Sequence, residues 1–250
     1  MTTRTSAGSR EQVGFHTHPG SPAHRLLLLA GVAAVVVYAA GDVVSGVLYD
    51  GYSFRDQAIS ELSAYGSPVR PLAVGWIVLH GLLGLAFSVG VWWSAGPRRA
   101  LRWTAGLLLA AGVVTAPLHP FFPMSSRGME PGFNDTMHVV LTMAFVPLMV
   151  GAVVASAVAL RGWFRLYAIA SLVVMALVAG LTGPLMTSLA ESLATPWLGV
   201  FERINAYTGF AWTIVLALVL LHRRTEQHEP EAPRAGSSVA ADHHAATAGR

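Results

Sequence analysis

Cysteine is absent from the 250 residues, and so is lysine. Without cysteine there is no disulfide scaffold, no CxxC redox motif and no thiolate metal site. All 16 basic residues are arginine, which we read with the heavy Ala, Gly and Val usage as codon bias. Charge of either sign is scarce. Asp, Glu, Lys and Arg make up 12% of the chain, about half the share in an ordinary soluble domain. That shortage, set against 54% hydrophobic residues, excludes a soluble globule of this length. The formal net charge is +3, but no basic stripe on a soluble module accompanies it, so nucleic acid is not an expected partner. P-loop, G-x-S-x-G and HExxH patterns are missing too, as is any GxGxxG set in a βαβ unit, so no catalytic signature is legible.

Six long apolar runs fill the space those absences leave. They fall at about Leu26–Leu48, Leu72–Ser94, Trp103–Leu118, Thr136–Leu160, Leu166–Leu189 and Ile204–Leu221. Each is near the ~20 residues that cross about 30 Å of hydrocarbon. A backbone in hydrocarbon must satisfy its own hydrogen bonds, so each run is a helix. The short alternating segments of a transmembrane barrel are not seen. The fold class expected is all-α, a polytopic membrane bundle of six helices. The third run is the shortest and can extend through Pro120 into Phe121 and Phe122. The first is expected to stay as an uncleaved anchor, because it is longer than a signal-peptide core. Residues 25–224 form the membrane domain. Residues 1–24 and 225–250 are polar and small, and are expected to be disordered tails.

Arginine placement predicts an orientation. With both termini cytoplasmic, twelve of the 16 arginines fall inside, and only Arg55, Arg70, Arg127 and Arg203 fall outside. Eight of the twelve flank a span, as the positive-inside rule requires. The expected location is therefore the plasma membrane, with the lipid bilayer as the surrounding partner. Seven of the 13 acids lie in the outer loops, so the outer face is where chemistry is expected.

Several polar residues there are candidates. Asp42 lies in the outer half of the first span and His80 near the middle of the second. A carboxylate at such depth costs at least ~2.5 kcal/mol on insertion scales, so it should face the bundle interior or water. Asp42, His80, Glu61, Glu202 and Arg203 are the expected lining of an outward pocket. The competing reading for His80 is an interior hydrogen bond, and for Glu202–Arg203 a simple helix-end anchor. His119, Asp135 and His138 form a second constellation. Two imidazoles and a carboxylate suit zinc with an open position for water, although Asp135 can equally cap its helix. Haem ligation by His119 and His138 is a more remote reading.

The loops carry local expectations. In residues 49–71, Phe54, Ala58, Ile59, Leu62 and Tyr65 recur at helical spacing, with Ser53 as N-cap and Gly66-Ser67-Pro68 as a stop. This reads as an amphipathic helix on the outer leaflet, or else as a lid packed on the bundle. Gly180-Leu-Thr-Gly-Pro184 reads as a break or kink in the fifth span. Each outer loop also pairs arginine with carboxylate in sequence, as Arg55/Glu61, Arg127/Glu130 and Arg203/Glu202.

The run Ile59-Ser-Glu-Leu62 with Gly66-Ser67-Pro68, then Asp135-Thr-Met-His138, then Gly199-Val-Phe-Glu-Arg203 resembles a known set of proteins. It is similar to the bacterial membrane-protein family catalogued as domain of unknown function nine-nine-eight, over about residues 26–222. The resemblance implies a six-helix integral membrane protein and supplies no activity. Two functions remain to be weighed. One is a non-enzymatic small permease, or a module binding a lipid, a small molecule or a partner at the outer leaflet. The alternative is a metal-dependent membrane-embedded hydrolase or transferase at His119, Asp135 and His138.

Overall fold

The computed structural model describes residues 21–191 and 193–226, and these are helical as expected. The helices are α1 (Pro22–Leu48), α2 (Arg70–Ala95), α3 (Arg99–Val113), α4 (Phe133–Ala159), α5 (Trp163–Ala190) and α6 (Leu198–Glu226). Counting α3 onward to Phe121, all six are long and apolar enough to cross a membrane. Most of the two segments expected to be disordered tails lies outside the described residues. Helix α1 starts earlier than Arg25: Ser21 accepts a hydrogen bond from the His24 amide and Pro22 opens the first turn, a sound capping arrangement. Its first turn carries a core residue, since His24 is buried and its imidazole meets Gly90 O and Ser94 Oγ at 3.0 Å each.

Each helix packs against its neighbours in sequence, and α6 closes the ring onto α1. An even number of crossings puts the start of α1 and the end of α6 at one end of the bundle. That end is filled by one continuous apolar core. Leu28, Phe87, Leu101, Val153, Phe164, Trp212 and Leu216 are its anchors, all nearly inaccessible. Tight helix contact here depends on small residues: a Cβ on Gly90 would stand 3.0 Å from the backbone of Leu27, so α1 and α2 touch through glycine. The opposite end is covered by the three longer loops and holds two small apolar clusters, one around Leu62 and Trp76 and one around Ala58 and Leu198.

Proline shapes α3. After Val113 the chain widens into a π turn (Val114–Leu118) containing Pro117, then tightens into a 3₁₀ turn (His119–Phe121) containing Pro120. Each proline removes a backbone donor, so the regular ladder cannot continue. The span therefore does run on to Phe121. The expected break in α5 is not there: helix continues through Gly180–Pro184 to Ala190. Nor do Gly180 and Gly183 mediate close packing, because a Cβ on either would meet open space.

The first long loop takes the second of its two expected readings. It is not an amphipathic helix on a lipid surface. Ser53 caps a single turn, its carbonyl accepting from the amides of Asp56 and Gln57. A five-residue 3₁₀ helix, Ile59–Ser63, follows. Ala58, Ile59 and Leu62 are essentially inaccessible, while Phe54 and Tyr65 at the two ends of the spacing are more than a third exposed, so the middle of the apolar face is covered by protein. The segment is a lid set into the end of the bundle.

Candidate functional site

The lid is held by charges from two helices, α1 and α6, and from the second long loop. Asp42, six residues before the end of α1, is almost wholly buried and receives a two-pronged ion pair from Arg203 of α6: Nε to Oδ2 at 3.0 Å and Nη2 to Oδ1 at 2.7 Å. The Tyr207 hydroxyl donates to the same carboxylate at 2.8 Å. Arg203 and Tyr207 lie four apart in sequence, on one face of α6. The remaining donors of Arg203 reach outward, to the carbonyls of Phe54 (2.9 Å), Gln57 (3.3 Å) and Gly199 (3.1 Å), and to the Tyr52 hydroxyl (2.9 Å). Its guanidinium also lies over the Phe54 ring, 4.8 Å from the centroid, a cation–π contact. A buried ion pair is sustained only when geometry is good and the spare donors are satisfied. Both conditions hold here, and each spare bond ends on the lid, on Tyr52 beside it or on α6 itself.

Three further features fix the lid. The Tyr52 hydroxyl donates to the carbonyls of Ala58 (2.8 Å) and Gln57 (3.2 Å). Burial pushes its phenol well above the ordinary tyrosine value, so the proton stays available for that bond. Glu202 accepts from the Ile59 amide, pinning the start of the 3₁₀ helix to α6. Gly199 makes room for this approach. A Cβ there would collide with the carbonyl oxygens of Gln57 and Phe54, which are backbone atoms and cannot swing aside.

A second ion pair ties the loops to one another. Glu61, buried in the 3₁₀ helix, accepts from the Ala58 amide at 2.8 Å and from Arg127 at 2.7 and 2.8 Å. Arg127 continues to Asp56 O and to Thr195 Oγ1. Its guanidinium is held above its ordinary value chiefly by the hydrogen bond to Glu61. Thr195 returns to Asp56 O at 2.8 Å. Asp56, at the surface, pairs with Arg55 and accepts from the Trp197 amide at 3.0 Å. The Arg55 hydrogen bond, followed by that amide, holds its carboxyl below the usual carboxylate range. The second loop also reaches the lid through a one-residue bridge, with the Tyr65 amide donating to Met124 O at 2.9 Å.

The residues singled out from sequence are thus sorted. Asp42, Glu61, Glu202 and Arg203 all belong to this polar cluster. None of the three in-sequence pairings holds: Arg55 pairs with Asp56 instead of Glu61, Arg127 with Glu61 instead of Glu130, and Arg203 with Asp42 instead of Glu202. Arg203 and Glu202 are not an anchor at a helix end, since α6 begins at Leu198 and the two point at different partners. His80 is elsewhere. Its Nδ1 meets Ala34 O at 3.0 Å, and its ring packs edge-on against Tyr38 and Phe210, the interior hydrogen bond that competed with a pocket role.

His119 and His138 do meet, with ring centroids 4.3 Å apart, while His138 Nδ1 faces Phe122 O at 3.0 Å. Asp135 does not join them. Its oxygens accept from the Ser125 amide and hydroxyl and from the Gly132 amide, at 2.7–2.8 Å, which is the capping role. Among the described residues no three His, Cys, Asp or Glu side chains are grouped to hold a metal.

Sequence reasoning missed Tyr52, Tyr207 and Thr195. Only Tyr207 left a signal, its spacing of four from Arg203; the other two depend on where loops meet.

A cleft of about 450 Å³ opens beside this cluster, between α5 and α6. Ala170, Ser171 and Val174 form one wall, and Ile204, Tyr207 and Thr208 the other. Tyr207 therefore faces two ways, its ring on the cleft and its hydroxyl on Asp42.

No curated protein and no solved structure matches the chain. A family profile does, covering residues 32–219 and taking in the greater part of all six helices, the lid and the whole polar cluster. The chain is an integral membrane protein and belongs to the family described as Protein of unknown function (DUF998).

Proposed function

We propose that this protein is a non-enzymatic binding module of the bilayer, taking an amphiphile sideways into the cleft between α5 and α6. The observation that carries the reading is the cleft itself. It combines about 450 Å³ of space with a largely apolar lining, to which Ser171 and Thr208 add hydroxyl-bearing side chains. Such a lining is the usual make-up of a small-ligand site. Val174 and Ile204 at its edges are about 40% exposed, which in a bilayer means access from lipid. Tyr207 then links occupancy to the lid through Asp42.

The arginine distribution favours a lid that faces outward and termini that face the cytoplasm of a plasma membrane. A permease has less in its favour, because the termini-bearing end is packed with large apolar side chains. The metal-hydrolase reading has less again, with Asp135 committed to loop amides and a hydroxyl.

A photoreactive phospholipid analogue in nanodiscs tests the proposal. It should label α5 or α6, and Ala170→Trp, which fills the cleft, should abolish most of the labelling without unfolding the protein. Labelling unchanged in the folded Ala170→Trp protein would overturn the reading.

A further inference from the structure

We infer that the amphiphile is an anionic phospholipid, its headgroup seated between Arg98 and Arg223 at the termini-bearing end of the bundle. This rests on the α5–α6 reading above and names the ligand class. A second cleft, about 600 Å³, opens there along the same seam, between the first turn of α5 and the last turns of α6. Arg98, His222 and Arg223 line its end nearest the termini, with Trp163 beside them and Phe164, Leu218 and Val219 further along the seam. Charge at the rim and hydrocarbon beneath is the shape of a lipid site, and basic pockets between helices at a membrane surface bind anionic headgroups.

Three observations give the rim its sign. The three salt bridges between described side chains all lie at the lid-bearing end, and Arg98 is in none of them. Helices α3 and α5 both begin at this end, without an acidic residue in the first turn and without a side-chain cap. Their free amides add positive potential to that of the arginines. Trp163 is 63% exposed beside the site, at the level where tryptophan sits between headgroup and hydrocarbon.

The two clefts follow one another along α6. Ala211 lines one and Val215 the other, four residues apart on one helix face. From Arg223 to Ala211 is twelve residues, roughly 18 Å of helix. That slightly exceeds half of a hydrocarbon core about 30 Å thick. A phospholipid of the adjoining leaflet, headgroup on the arginines, therefore reaches the Tyr207 cleft with its acyl chain. A soluble phosphate would use the rim and leave the apolar floor empty.

Purified protein in nanodiscs of phosphatidylcholine, doped with brominated phosphatidylglycerol or brominated phosphatidylcholine, tests this through quenching of the Trp163 fluorescence, taken as the difference from a Trp163→Phe variant. The expected result is a preference for the anionic lipid that falls about fivefold in Arg98→Gln and about 25-fold in Arg98→Gln/Arg223→Gln, on the usual worth of one basic residue near a lipid surface. Arg161→Gln, at the same end but outside the cleft, should keep the preference. A preference unchanged in the double variant would overturn the headgroup assignment. So would a preference abolished by millimolar inorganic phosphate in wild type, which would mark a site for a soluble anion. The Ala170→Trp variant separates the two readings. If it retains the anionic preference at Trp163 yet loses labelling higher in the seam, both stand. If the preference survives while labelling never depended on Ala170, the rim site stands and the upper cleft does not.

Discussion

The two ends of this bundle handle charge in opposite ways. At the lid-bearing end, carboxylates and guanidinium groups are drawn inside and matched, Asp42 with Arg203 and Glu61 with Arg127. At the termini-bearing end the interior is an apolar core, and none of the salt bridges between described side chains lies there. The difference teaches where each end has spent its specificity. Buried ion pairs contribute little net stability, but breaking one leaves an uncompensated charge in a low-dielectric site. The lid end is therefore built to hold one arrangement. The other end keeps its cations facing outward, available to headgroups and water.

The contrast can be broken most severely at Asp42. In Asp42→Asn the Arg203 guanidinium loses its counter-charge inside the protein, and the protein should lose about 3–5 kcal/mol of stability, read as a lower midpoint in SDS titration. Arg98→Gln, a cation of the other end, should move the same midpoint by less than about 0.5 kcal/mol.

Gly199→Ala comes next. Its methyl group meets lid carbonyls that cannot move away, so we expect a loss of about 1–3 kcal/mol. Faster hydrogen exchange should be confined to residues 53–65; exchange spread evenly over all six helices would mean that the lid is not a separate unit.

Smaller still is Glu61→Gln. Arg127 is a third exposed, and solvent screening holds the expected cost to about 1 kcal/mol. Because the chain has no cysteine, a single Ser60→Cys reporter can be labelled without background, and its modification should speed up when Glu61 is neutralised.

The smallest effect is a pH response at Asp56. Its carboxyl is depressed in the folded protein, chiefly by Arg55 and then by the Trp197 amide. Its contribution is present above the unfolded carboxylate pKa, about 3.9, and disappears as pH falls through the lower folded value. Labelling of the Ser60→Cys reporter should therefore rise only below about pH 4, and Asp56→Asn should show the acid rate at neutral pH.

Much of the fold could be read from residue order. Hydrocarbon demands helices of fixed length, so the six spans stood out in the apolar runs, and so did the extension of the third through Pro120; the widened turn at Pro117 was not foreseen. The site was legible only in its membership. Asp42 announced itself because a carboxylate at that depth must have a partner, yet nothing in the sequence says that the partner lies 161 positions away on α6. The lid residues left two readings open for a related reason. Apolar residues at helical spacing suit a membrane surface and a protein interior equally well, and the choice is made by Glu202, Tyr52 and Met124, which reach the segment from elsewhere in the chain. His80 and Asp135 were visible as polar residues with two readings each, and both turned out to bond backbone, His80 a carbonyl of α1 and Asp135 amides of its own loop.

The most direct test of the paired, inward-facing charge cluster is a double-mutant cycle on Asp42 and Arg203, read by SDS-titration stability. Asp42→Asn and Arg203→Met should each be strongly destabilising. The double variant should recover well over 1 kcal/mol of the summed loss, because it removes both charges together. Losses that add to within about 0.5 kcal/mol would contradict the account, since the two residues would then not share one site.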